Sequence, residues 1–185
     1  MNIIASRTRV AGLALGLVLL AGCSGDYLAH RGQPKAFSTH PYRMVYPNSF
    51  AHSEMQQGKP GMVLVGAFCE AAAVSMDMKG FPGTIFVRCY RMRGHETSET
   101  FMERYYDDLA LRYLDIEMRK IEGGSNPDEW LVTMETPYMA TRVIVLPDEK
   151  LAYDVTTMCG PADRERFEDP FQRTRNSFEL LPARE

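Results

Sequence analysis

Four histidines, His30, His40, His52 and His95, are the first side chains to test for chemistry, and no two fall at metal-ligand spacing. Neither HxxxH nor HExxH occurs, so no zinc site is written in the sequence. His30 lies in a polar stretch, His40 precedes Pro41, His52 follows a turn at Pro47 and His95 sits in a polar turn, so all four read as exposed loop residues. Met76-Asp77-Met78 has the spacing of a thioether pair for Cu(I). Two methionines facing a core at period two account for it more simply. Asp107 and Asp108 are adjacent on a helical pattern and point in different directions, a poor arrangement for a paired acid and base. Asp163, Glu165, Glu168 and Asp169 alternate with Arg164, Arg166, Arg173 and Arg175, the pattern of a solvated face. No GxSxG elbow, P-loop or EF-hand loop is present. The sequence therefore nominates no catalytic, cofactor-binding or metal-binding residue, and the expectation is a protein that is not an enzyme.

Composition narrows the class further. The 185 residues are 45% hydrophobic and 24% charged, as in a folded globular chain. Lys and Arg number 21 against 24 Asp and Glu, a net charge of −3. Neutralising nucleic-acid phosphates needs the opposite surplus, so nucleic acid is excluded as a partner. The N-terminus has Arg7 and Arg9, then an apolar run from Val10 to Leu20, then Leu20-Ala21-Gly22-Cys23. That run is well short of the ~20 residues a spanning helix needs, and it matches a secretory h-region. The LAGC ending resembles the lipobox of bacterial lipoproteins, which implies cleavage after residue 22 and diacylation (a palmitate-type anchor) at Cys23. An ordinary secretory signal followed by a chance cysteine is the bland alternative. Ser24, in place of an Asp, resembles the outer-membrane sorting pattern, so the expected location is the outer membrane, facing the periplasm, with the lipid as the membrane contact. Residues 1–22 are thus read as signal peptide, 23–36 as a lipidated tether of at most ~40 Å, and 37–185 as one globular domain.

Beyond Cys23, the cysteines Cys69, Cys89 and Cys159 remain, with no CxxC spacing and so no thioredoxin-like site. Cys89 shares a strand face with Ile85 and Val87, and Cys159 with Leu151, Tyr153 and Val155, so both point to apolar surroundings. Buried free thiols and a structural disulfide are both open, and an oxidising compartment favours the disulfide. A simple hairpin at Gly80 to Gly83 would set Cys89 opposite Val74 and not Cys69, so the expected pair is Cys89–Cys159.

The elements that must position these residues follow from periodicity. Tyr42 to Tyr46 alternates and stops at Pro47-Asn48, and Met62 to Phe68 is a second apolar run. A strand from Val74 and the clearest strand, Thr84 to Met92, come next. Phe101, Tyr105, Leu109 and Tyr113 step by four, with Met102 beside them, which predicts an amphipathic helix. Thr100 with Glu103 fits its capping box, and Ser98 is an equally good N-cap. A short strand from Ile116 precedes Gly123-Gly124. Glu129 to Thr136, Thr141 to Leu146 and Leu151 to Cys159 form a meander with a hairpin loop at Pro147 to Lys150. Asp169-Pro170 reads as N-cap and N1 of a closing helix carrying Phe171, and Phe178 ends the core pattern. Phe86 and Tyr90 share a face with Arg88 and are expected beneath a helix, while Tyr106 lies beside the apolar stripe. The class is α+β with a mainly antiparallel sheet.

Tyr46-Pro47-Asn48-Ser49-Phe50, the strand-to-helix unit from Thr84 to Tyr113, the late meander and a helix ending in Ser177-Phe178 resemble the PsbP-like and DcrB-like domains. The resemblance runs from Tyr42 to Leu181 and fits least well at Cys69 to Ala73. It implies a single α/β/α sandwich and a non-enzymatic interaction or assembly role in the envelope, with an envelope protein as partner and no functional residue carried over. A small-molecule or metal carrier, or an enzyme without a recognisable motif, is the alternative.

Overall fold

The structure, a computed structural model, describes residues 26–53, 59–70, 83–123 and 128–183. Cys23, the signal segment, the strand expected from Val74 and the Met76-Asp77-Met78 pair lie outside the described residues. Among the described residues there are ten strands: β1 (Tyr27–Gly32), β2 (Tyr42–Pro47), β3 (Phe50–His52), β4 (Met62–Glu70), β5 (Thr84–Arg91), β6 (Ile116–Lys120), β7 (Glu129–Met134), β8 (Tyr138–Leu146), β9 (Leu151–Cys159) and β10 (Glu179–Leu180). Helix α1 spans Ser98–Ala110 and α2 spans Arg164–Ser177. Seven strands form one sheet in the order β3-β4-β5-β9-β8-β7-β6, and β1-β2-β10 form a second. Each strand pairing is antiparallel, as the alternating patterns and short hairpins require.

The large sheet is covered on both faces, which gives the layered α+β arrangement expected from the element order. On one face, Ile85, Val87 and Cys89 of β5 and Tyr153, Val155 and Cys159 of β9 meet Phe167 and Phe171 of α2, Tyr42 and Met44 of β2, and Phe178. On the other, Phe101, Met102 and Tyr105 of α1 pack on Val132, Val143, Val145 and Ala152. Period two sends alternate β9 residues to the two cores. Each fully buried Phe contributes about 1.5–3 kcal/mol, so Phe101 and Phe171, both without exposure, anchor their helices.

Four local readings are corrected. Tyr27–Gly32, read as tether, is a strand paired along its whole length with β2, from Tyr27 opposite Pro47 to Gly32 opposite Tyr42. It lacks an apolar alternation because only Gly32 of its six residues is buried, so backbone hydrogen bonds, which leave no mark on sequence, define it. The globular unit thus begins at Tyr27 and not at residue 37. The N-cap of α1 is Thr97, whose capping-box partner is Thr100, three residues before the expected Thr100–Glu103 box and one before Ser98. Helix α2 starts at Arg164, so Pro170 lies inside it and Pro161 opens the helical segment through a 3-10 turn. The extra turn places Phe167 on Phe171, ring centroids 5.0 Å apart and nearly parallel, with Phe50 edge-on to both. Arg175, assigned to a solvated face, is buried, and burial holds its pKa below the ordinary guanidinium value.

The expected cysteine pair is also separated. Cys89 stands opposite Tyr153 on one side and Val63 on the other. Cys159 lies six residues further along β9, about 20 Å at strand rise. Cys69, Cys89 and Cys159 are free thiols.

Candidate functional site

Asp154 lies between Tyr153 and Val155, which the sequence pattern reads as core. The structure puts Asp154 on the face covered by α1, with no exposure at all. An ionised carboxylate there requires compensation, since an unpaired buried charge costs several kcal/mol. Compensation comes from both neighbours in the architecture. Arg88, directly opposite Asp154 on β5, donates Nε to Oδ1 at 2.9 Å and places Nη2 2.8 Å from Oδ2. Tyr90, two residues on, and Tyr105 of α1 each donate a hydroxyl to Oδ2 at 2.8 Å. Arg88 Nη2 also reaches Thr156, whose hydroxyl meets that of Thr141 at 2.9 Å. Burial is the largest influence on Arg88 and opposes its charge, but Asp154, Tyr90 and Tyr105 together outweigh it and raise the guanidinium pKa well above its ordinary value. Burial first, and Asp154 second, push the Tyr90 and Tyr105 hydroxyls upward, so both remain donors.

This cluster forms one wall of a cleft of about 510 Å³ between α1, the end of β5 and the start of β4. Met62 and Gly61 contribute from the β4 end, Tyr90 and Met92 from β5 and beyond, and Tyr105, Asp108 and Leu109 from α1. Apart from Pro60, the remaining lining is cationic: Lys59, Arg88, Arg91, Arg93, Arg104 and Arg112. Arg104 is fixed by a second buried carboxylate. Its Nε and Nη2 donate to the two oxygens of Glu96 at 2.6 and 3.1 Å, and the Arg93 amide adds a third bond at 2.7 Å. The Arg104 hydrogen bond, more than any other cause, holds the Glu96 carboxyl below the usual range.

Other charged clusters close the fold. Arg142 on β8 grips Glu129 with Nη2 at 2.9 Å and caps α2 through Nη1, which donates to the Arg175 and Phe178 carbonyls at 3.0 and 2.9 Å. The alternation of acids and arginines in α2 resolves into specific pairs, Arg166 with Glu70 and Arg164 with Glu135 and Glu168.

His52 and His95 are exposed as expected, whereas His30 and His40 are half-buried. His40 Nδ1 donates to Leu181 O at 2.7 Å and its Nε2 lies 2.8 Å from Glu149 Oε2, and His30 sits in β1 stacked on His52 with ring centroids 5.5 Å apart. Among the described residues no three His, Cys, Asp or Glu side chains converge as metal ligands. Burial pushes the Cys89 and Cys159 thiols up to about 11, the opposite of an activated nucleophile. Tyr90 lies under α1 against Phe101 and Tyr105, as its strand face implied. Phe86 and Tyr106 are half-buried. Neither Phe86 nor Tyr106 lines the cleft. Asp154 and Glu96 were missed. The available signal was an Arg and an Asp at matching positions of two core strands, readable only once β5 and β9 are known to be neighbours.

A seven-stranded antiparallel sheet between α1 and the α2 layer is the PsbP-like fold. The solution structure of cyanobacterial PsbP (CyanoP) from Synechocystis sp. PCC 6803 matches with a TM-score of 0.50 and 13% identity, over 88% of this chain and 99% of that one. LpqN of Mycobacterium tuberculosis, involved in cell envelope biogenesis, matches with a TM-score of 0.48 and 10% identity, over 84% and 92%. No known family's sequence pattern and no curated protein matches the chain. No described helix is long and apolar enough to cross a membrane.

Proposed function

We propose that this is a lipid-anchored, non-catalytic envelope protein that acts by binding another envelope component, with the cleft beneath α1 as its contact surface. The observation that carries the non-catalytic reading is the enclosure of Asp154 among fixed donors. Four donor contacts from Arg88, Tyr90 and Tyr105 meet its two oxygens. Three of these contacts converge on Oδ2 and one on Oδ1, and the carboxylate is wholly enclosed, so the group anchors the sheet and helix. The lipobox at Cys23 supplies the anchor, Ser24 directs it to the outer membrane, and confinement there raises the effective concentration of the domain towards envelope partners. A second reading, a small-molecule carrier, is favoured by the cleft volume of about 510 Å³, which falls within the range of ligand pockets.

In-cell photo-crosslinking from position 112, with position 164 on the α2 side as control, tests the proposal. A defined envelope component captured at 112 and not at 164, and lost in Cys23→Ser, is expected. Equal capture from both positions would remove the cleft from the reading, and capture unaffected by Cys23→Ser would remove the anchor.

A further inference from the structure

We infer that the cleft beneath α1 holds an anionic headgroup, of phosphate or carboxylate chemistry, borne on an apolar stem. The inference rests on reading this cleft as a binding surface and names the chemistry of what it binds. The chain carries a net charge of −3, yet the cleft has the opposite sign. Among the described residues its cations are Lys59, Arg88, Arg91, Arg93, Arg104 and Arg112, and the one carboxylate on its wall is Asp108. Counting Asp154 and Glu96 behind them, three positive charges remain in excess.

Two of these cations are built into place. Arg88 spends Nε and Nη2 on Asp154 and Thr156, and Arg104 spends Nε and Nη2 on Glu96. In each, Nη1 has no hydrogen-bond partner among the described residues, although both side chains line the cleft. They are only 22% and 28% exposed, so water screens them weakly. A guanidinium locked by a buried carboxylate and left with an unused N–H edge is preorganised for planar oxyanions. A neutral or cationic ligand would cover this excess charge without compensating it, which is costly. Apolar groups stand beside the cations. Met62, Tyr90 and Leu109 share the lining. At the end of α1, Leu111 and Leu114 flank Arg112 and are 84% and 81% exposed. Charge and apolar surface together fit a headgroup with its stem.

Isothermal titration of the full chain in phosphatidylcholine nanodiscs tests this, with hexyl phosphate, inorganic phosphate and hexanol as probes. Saturable one-to-one binding of hexyl phosphate is expected, weakened about tenfold or more in Arg91→Ala/Arg112→Ala and unchanged in Arg164→Ala. Both arginines of the double variant are exposed, so the fold should survive. Hexyl phosphate binding about threefold or more tighter than inorganic phosphate assigns the site to an amphiphile such as a lipid headgroup, and a smaller difference assigns it to a soluble anion. Absence of hexyl phosphate binding, equal affinity for hexanol, or an affinity unmoved by the double variant would overturn the inference. Release of inorganic phosphate from bound hexyl phosphate would overturn the non-catalytic reading while leaving the anion site in place.

Discussion

Tyr105 donates its hydroxyl across the interface between α1 and the sheet to Asp154 Oδ2 at 2.8 Å, and both residues are buried. The bond fixes the height of α1 above β9, and therefore the width of the cleft in which Arg88 and Arg104 stand. Tyr90 reaches the same oxygen from β5, so one carboxylate joins two strands and a helix.

Removing the acceptor should therefore cost more than removing either donor. Tyr105→Phe loses one hydrogen bond to a charged group, about 1.5–3 kcal/mol. Asp154→Ala strands Arg88 and two hydroxyls, so about 3–5 kcal/mol is expected. Urea unfolding of the two variants gives the order. Equal losses would mean that the Tyr105 bond alone carries the cluster.

A second relationship joins the two sheets. The Tyr42 ring of β2, wholly buried, reaches Val65 O through its hydroxyl at 3.3 Å. A Cβ on Gly66 would run into that hydroxyl. Gly66→Ala should destabilise by about 1–3 kcal/mol, as overpacking does. Tyr42→Phe removes the obstructing oxygen, so the double variant should lose less than the two single losses together. Additive losses in thermal or urea unfolding would place the strain elsewhere.

How much of this was legible in the sequence follows from which forces leave a periodic mark. β5, β9, the two helices and the core residues Phe101, Tyr105 and Phe171 were readable because burial of one face imposes period two or 3.6. β1 was not, because an edge strand is defined by backbone bonding to β2. The Asp154 and Glu96 clusters were invisible for a different reason. A buried charge looks like surface in a one-dimensional pattern, and only the register of β5 against β9 places Arg88 opposite Asp154. The expected Cys89–Cys159 pair failed on the same unknown, since strand order sets which residues face each other.

The thiols allow a direct check of that order. Burial pushes Cys89 and Cys159 up to about 11 and encloses both, whereas Cys69 is half-buried at the β3–β4 pair. Iodoacetamide on the folded full chain near neutral pH should modify Cys69 first, with Cys89 and Cys159 reacting only after unfolding. Peptide mapping without reductant should find none of the three bridged. A Cys89–Cys159 disulfide would contradict the register of β5 and β9.

The contact between β1 and the large sheet should weaken in mild acid. His30 is held below its ordinary pKa of 6.5, chiefly by burial and then by His52 stacked upon it. The other groups around its ring are Tyr42, with its hydroxyl 3.4 Å from Nε2, Tyr46 and Phe68, none of which carries charge to hold a proton in place at this pH. In the unfolded chain His30 titrates near 6.5, so between that pH and the lower folded value the unfolded state binds more protons. Stability from this residue is therefore full above about pH 6.5, falls as pH drops through the window, and levels off below the folded pKa. Carboxylate titration lies lower, near pH 4, so the two effects separate. Thermal unfolding of the full chain should lose stability as the pH falls below about 6.5, with faster amide exchange in β1 and β2. His30→Phe, which keeps the ring contact and cannot be protonated, should flatten that slope. An unchanged slope in His30→Phe would assign the acid sensitivity to another group.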